Sequence, residues 1–340
     1  MKKTIGLLLA VASLSNANAQ ENKWLDLQGE VRVDYQREYL DGDAVKSNSG
    51  FKGKFINIIM NGNISDSFSY SYRQRLNKAH ADQSFFDATD WVFLTYKATD
   101  NWSFSGGKQV VGIGGYEYDR APIDLYFCSE YWNNIPCYQL GVSMAYTTNS
   151  GKDKFTMQVC ESPFHQKSED MYAYNLMWNG SHDWFNSIYS ANMQEYQPGK
   201  FIYYLALGNE FKMGNVRLQL DFMNRATNKH AFFFKDCSVM GELLCAVSPK
   251  VNLFGKVTYD VNRTDTEGDY CVYTGTELTR VGCGVEYFPL RDGDRNLRIH
   301  ANFCYSWGSN GNEAGTTLPK QSIVDVGVKW KVNIFSYSHK

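Results

Sequence analysis

What most constrains this chain is a two-residue rhythm that recurs from one end to the other. Between Trp24 and Gln36, Leu25, Leu27, Gly29, Val31, Val33 and Tyr35 fall on one face, while Asp26, Gln28, Glu30, Arg32, Asp34 and Gln36 fall on the other. Successive side chains of a strand point to opposite sides, so the segment reads as a strand with one apolar and one charged face. The rhythm returns at Ile56 to Ile64, Phe68 to Asn77, Val216 to Phe222, Leu297 to Tyr305 and Val324 to Ile334. It divides the chain into sixteen strands: 24–37, 51–64, 67–77, 88–99, 102–111, 137–148, 153–161, 171–180, 183–194, 201–212, 215–225, 234–247, 250–260, 274–288, 294–306 and 321–335.

Alternation alone also suits a soluble sandwich, so the connections decide. Short turns at Ser65-Asp66, Asp100-Asn101, 149–152, 180–182, Met213-Gly214, Ser248-Pro249 and 289–293 alternate with longer loops at 38–50, 78–87, 112–136, 162–170, 195–200, 226–233, 261–273 and 307–320. Short periplasmic turns and long external loops are the habit of single-chain outer-membrane barrels. All seven Pro fall in connections or at strand ends, where the missing N–H breaks no ladder bond. Trp24, Trp102, Trp178, Trp184 and Trp330 fall near the periplasmic ends of their strands, as an interfacial girdle requires, and Trp91 and Trp307 near the opposite rim. The fold expected is therefore all-β: a transmembrane antiparallel β-barrel of about sixteen strands, set in the lipid bilayer of a bacterial outer membrane. A closed barrel pairs every backbone polar group in lipid, and at this strand number it encloses water.

The amino terminus supplies the route to that membrane. Lys2 and Lys3, the apolar stretch Ile5 to Leu14 and Ala17-Asn18-Ala19 have the charge, length and small residues of a cleaved signal peptide, giving domains of 1–19 and 20–340. Removing Lys2 and Lys3 takes the formal charge from −2 to −4, which argues against nucleic acid as a partner. A mean hydropathy of −0.43 with 23 Tyr and 21 Phe suits a wall in which every second residue meets lipid. The eight Cys form no metal-binding spacing; Cys128 and Cys137 share one loop, where a bridge is possible, and most of the others fill strand positions. No metal or other cofactor is implied. The His residues are scattered, and no nucleophile-elbow, zinc-protease or phosphate-loop pattern occurs, so an enzyme is not expected.

The longest connection, Gly112 to Pro136, is the third external loop. It carries Glu117, Asp119, Arg120, Asp124 and Glu130 among several aromatic residues. Long loops of this kind are usually functional, and this one is expected to fold into the lumen as a constriction. Its charges would face a lumen wall that includes Arg32, Arg73, Arg75, Lys108, Arg217 and Arg298, giving a transverse field rather than strong ion selectivity.

The runs FKGKFINIIMNGNISDSFSYSYRQRLNK (51–78), GGKQVVGIGGYEYDRAPIDLY (106–126), LDFMNRA (220–226) and VEYFPLR (285–291) resemble those of Bacteroidetes porins akin to the phosphate-selective porin O and P family. That resemblance implies sixteen strands, a homotrimer and a third loop turned inward at 112–136. Phosphate-selective members are anion channels with an arginine ladder and a lysine cluster; the present sequence has no comparable basic array. The function expected is passive diffusion of small hydrophilic solutes or ions, anions among them. The alternative is a structural or adhesive barrel whose external loops bind partners.

Overall fold

The alternating segments pair edge to edge with their sequence neighbours until the last meets the first. The computed structural model describes residues 23–78, 84–165, 170–227, 235–264, 268–291, 293–311 and 320–338; the leader expected at 1–19 lies outside them. Sixteen strands form the wall. They are β1 (Lys23–Leu40), β2 (Gly50–Asn63), β3 (Phe68–Arg75), β4 (Thr89–Lys97), β5 (Trp102–Val110), β6 (Tyr138–Thr147), β7 (Asp153–Glu161) and β8 (Tyr172–Ser181). They continue with β9 (Phe185–Gln197), β10 (Lys200–Met213), β11 (Val216–Thr227), β12 (Asp236–Ser248), β13 (Val251–Asn262), β14 (Glu277–Tyr287), β15 (Leu297–Ser309) and β16 (Gln321–Ser338). A two-residue strand, Asp43–Ala44, only prolongs the first hairpin. Every pairing is antiparallel, and β1 closes on β16 from Lys23 opposite Ser338 to Leu40 opposite Gln321. The wall therefore has no free lateral edge, as a bilayer demands.

Burial runs opposite to that of a water-soluble protein. Leu94, Leu176 and Val326 are 41%, 53% and 50% exposed, whereas Arg280 and Asp260, on the other face, are 1% and 0% exposed. An apolar outer surface of this extent is tolerable only against lipid. No helix among the described residues is long and apolar enough to span a membrane, so the strands do the spanning.

Each expected strand is present, displaced by no more than three residues at either end. Two expectations differ. The fifth external connection, expected at 195–200, is a hairpin tip of Pro198 and Gly199, because β9 and β10 pair out to Gln197 opposite Lys200. Proline pre-sets the first corner, and Gly199 takes the second at φ +74°, a conformation that favours glycine. Trp91 lies near the outer rim as expected but faces inward: it aligns with Arg73, its indole N–H donates to Ser71 Oγ at 2.8 Å, and the Arg73 guanidinium lies 3.8 Å above its ring. Its neighbours Val92 and Leu94 hold the outer face instead. No disulfide joins Cys128 to Cys137; both are free, and burial pushes the Cys137 thiol up to about 11, which leaves it protonated and unreactive.

Candidate functional site

The segment between β5 and β6 contains two short helices, α1 (Tyr116–Asp119) and α2 (Glu130–Asn134), with a 3₁₀ turn at Pro122–Asp124 between them. Inward-facing side chains of the wall hold it along its whole length. At the start, Gln158 of β7 accepts from Gly112 N–H at 2.7 Å, Asn192 of β9 donates to Gly112 O at 2.7 Å, and Ser190 accepts from Gly114 N–H at 2.8 Å. Gly114 and Gly115 permit this approach: a Cβ on Gly114 would come within 2.6 Å of Ile188 O, and Gly115 has φ +107°.

Carboxylates of the wall then receive the unsatisfied amides of both helices. Asp221 of β11 accepts from Tyr116 N–H at 2.9 Å and Glu117 N–H at 2.7 Å. Asp260 of β13 accepts from Glu130 N–H at 2.8 Å and Tyr131 N–H at 3.3 Å. The first amides of a helix lack internal acceptors, so these two wall residues supply them.

Every charged residue expected to act in this segment meets a wall strand or its own backbone. Glu117 pairs with Lys256 at 2.6 Å, and Lys256 also donates to Phe127 O at 2.9 Å. Arg120 donates to Glu242 at 2.9 Å and to Gln219 at 2.7 Å. Burial opposes the Arg120 charge, but the Glu242 carboxylate more than offsets this and raises its pKa. Asp124 takes Lys329 at 2.7 Å and Arg298 at 2.8 Å. Burial alone would raise its carboxyl; those two cations hold it far below the usual range. Glu130 pairs with Arg280, which also reaches Asp260 at 3.4 Å. Asp119 is half-buried, and its amide donates to Gly115 O at 3.0 Å.

Of the expected wall cations, Arg32 donates to Ile123 O at 3.2 Å and Leu125 O at 2.6 Å, and is braced by Asp34 at 2.7 Å. Arg298 bonds Asp124, Glu286 and Ile123 O. Tyr126 lies beneath both guanidinium groups, at 4.8 Å and 5.3 Å, and donates to Glu286 at 2.8 Å. Arg217 faces inward but lies 3.8 Å from Glu210, away from the anchors above. Arg73 and Arg75 share Asp90, at 2.9 Å and 3.3 Å. Lys108 is a correction. Its register partners are Val92 and Leu140, both on the outer face, and its ammonium donates to Phe86 O and Asp87 O at 3.0 and 3.2 Å. Counting outward from Trp102 and Phe104 already places an even-numbered residue of β5 on that side.

Arg225 and Arg280 were not singled out in the sequence, although strand alternation puts both inward. Arg225 pairs with Asp269 of the β13–β14 loop at 2.6 Å and donates to Ser238 and Val261 O at 2.8 and 2.9 Å. Ser238 in turn donates to Asp260. One buried network therefore joins two external loops to β11, β12, β13 and β14. Among the described residues no group of side chains could hold a metal ion.

The model for the family described as phosphate-selective porin O and P matches residues 25–183, from β1 through β8. The chain is an outer-membrane porin. The fold of this porin is similar to that of the outer-membrane channel DcaP of Acinetobacter baumannii, at 12% identity and TM-score 0.65, covering 94% of this chain and 100% of that one. It is also similar to OmpT of Vibrio cholerae, one form of which is described as a trimer, at 14% identity and TM-score 0.62 over 93% and 99% of the two chains. A variant of Rh. blastica porin matches at 11% identity and TM-score 0.57 over 91% and 99%. No curated protein matches the sequence significantly.

Proposed function

We propose that the porin admits small hydrophilic solutes and ions past a constriction made by residues 112–136, with Glu117, Asp119, Arg120, Asp124 and Glu130 on the loop side. The observation that carries this is the continuous set of bonds from that segment to inward-facing residues on β7, β9, β11, β13, β15, β16 and β1. A loop anchored around so much of the wall narrows the lumen and cannot swing outward. On the same reading, residues 1–19 are a cleaved leader, the barrel works as a homotrimer of the Bacteroidetes type, and it catalyses no reaction. The trimer form among its structural relatives supports the assembly. A dedicated phosphate site is not part of the proposal. Arg32, Arg298, Lys256 and Lys329 are each engaged by the segment's own carbonyls or carboxylates rather than arrayed for a ligand.

Deleting residues 113–134 tests the constriction. Single-channel conductance in planar bilayers should rise while the barrel remains heat-modifiable; an unchanged conductance from a folded deletion would remove the constriction from the proposal.

A further inference from the structure

None of the anchors named above lies on β2 to β6, so those strands form the wall across the lumen from the loop. Register sets one continuous polar row along their inner surface. Asn63 pairs with Ser69, Ser69 with Thr95, Thr95 with Ser105, and Ser105 with Ser143. The row then runs through Gln158, Asn175 and Asn192, where it meets the start of the loop. Eight successive inward positions thus carry hydroxyl or amide groups and no charge. The first five are half-buried, and the Thr95 and Ser105 hydroxyls lie 2.8 Å apart.

One step toward the outside, Phe93 stands over this row, aligned with Ser71, Gly107 and, through Gly107, Gly141. The two glycines place no side chain beside its half-buried ring. Above them, Gln109 accepts from Ser143 Oγ at 2.8 Å and donates to Gly141 O at 3.0 Å. Among the inward cations, Lys97, one step below Thr95, bonds Asp100 at 2.7 Å and Arg73 and Arg75 bond Asp90, while Lys108 is on the outer face.

We propose that this wall is a selectivity surface for uncharged, polyhydroxylated ring solutes, of the chemistry of short oligosaccharides, in preference to phosphate. A pyranose ring has an apolar C–H face that stacks on an aromatic ring, and a rim of hydroxyls that needs donors and acceptors at close spacing. Phe93 supplies the first, and Thr95, Ser105, Ser143 and Gln109 the second. The row itself offers a phosphate ion no charge in exchange for the water it would lose. The proposal rests on the porin reading and names the solute class of the same lumen.

The test uses the full-length porin in planar bilayers, with maltotriose or inorganic phosphate added at equal concentration to a chloride electrolyte. Maltotriose should interrupt the ionic current in a concentration-dependent way, and phosphate should not. Phe93→Ala should weaken the interruption about tenfold, the loss of one stacking surface, with ionic step size retained as proof of folding. Phe93→Tyr should preserve it, and Thr95→Val with Ser105→Ala should weaken it. Ionic steps with no maltotriose effect, block by phosphate instead, or a block indifferent to Phe93→Ala would each overturn the proposal and leave the porin standing. Absence of any ionic steps from folded protein would overturn both.

Discussion

Arg280 sits between two carboxylates, Glu130 of the loop and Asp260 of the wall, and all three side chains are almost fully buried. Replacing it by methionine strands two buried acids, a change that costs about 3–5 kcal/mol. The temperature at which the folded band is lost in heat-modifiability gels should fall for Arg280→Met, and Glu130→Gln added to it should recover part of the loss. Asp124 sets a different expectation. Its carboxyl is held below the ordinary range by Lys329 and Arg298, so the stabilisation it gives is complete above that range and fades only as pH falls through the lowered value. At neutral pH Asp124→Asn should therefore lower the temperature at which the folded band is lost, and an unchanged temperature would show that Asp124 does not pin the loop.

At the scale of the element, the β9–β10 hairpin turns on Pro198 and Gly199. A β-branched residue at φ +74° is strained by about 1–2 kcal/mol, so Gly199→Val should lower the urea midpoint of the barrel without altering conductance. This hairpin also shows where sequence reading stops. Alternation located all sixteen strands, because lipid on one side and water on the other leave a period of two in the residues themselves. It did not reveal that β9 and β10 run on to the tip, since Glu195 to Gln197 are polar enough to pass for loop. The loop's position was legible from its length and charge. Its anchors were only half so: Asp221 and Asp260 could be placed on the inner face, but their bonds to helix amides depend on how the segment folds. The facing of Lys108 was available by counting from Trp102 and was missed because a charge invites the lumen; Trp91 was missed for the converse reason.

Over the whole molecule, the charges of the loop and the inner wall are largely spent on one another. In a salt gradient the reversal potential should stay close to zero, with little cation or anion preference; a strongly anion-selective value would instead indicate uncommitted wall cations. The seam between β1 and β16 carries a further consequence for how the barrel is made. The loop is synthesised after five strands, yet Lys329, one of its two cationic partners at Asp124, belongs to the last strand, and Arg32, which grips its carbonyls, to the first. Those two residues are aligned across the seam. The final zipping of the cylinder and the seating of the loop thus complete each other. A chain arrested before its sixteenth strand would lack both closure and a settled interior, so insertion should finish in one cooperative, late step rather than hairpin by hairpin.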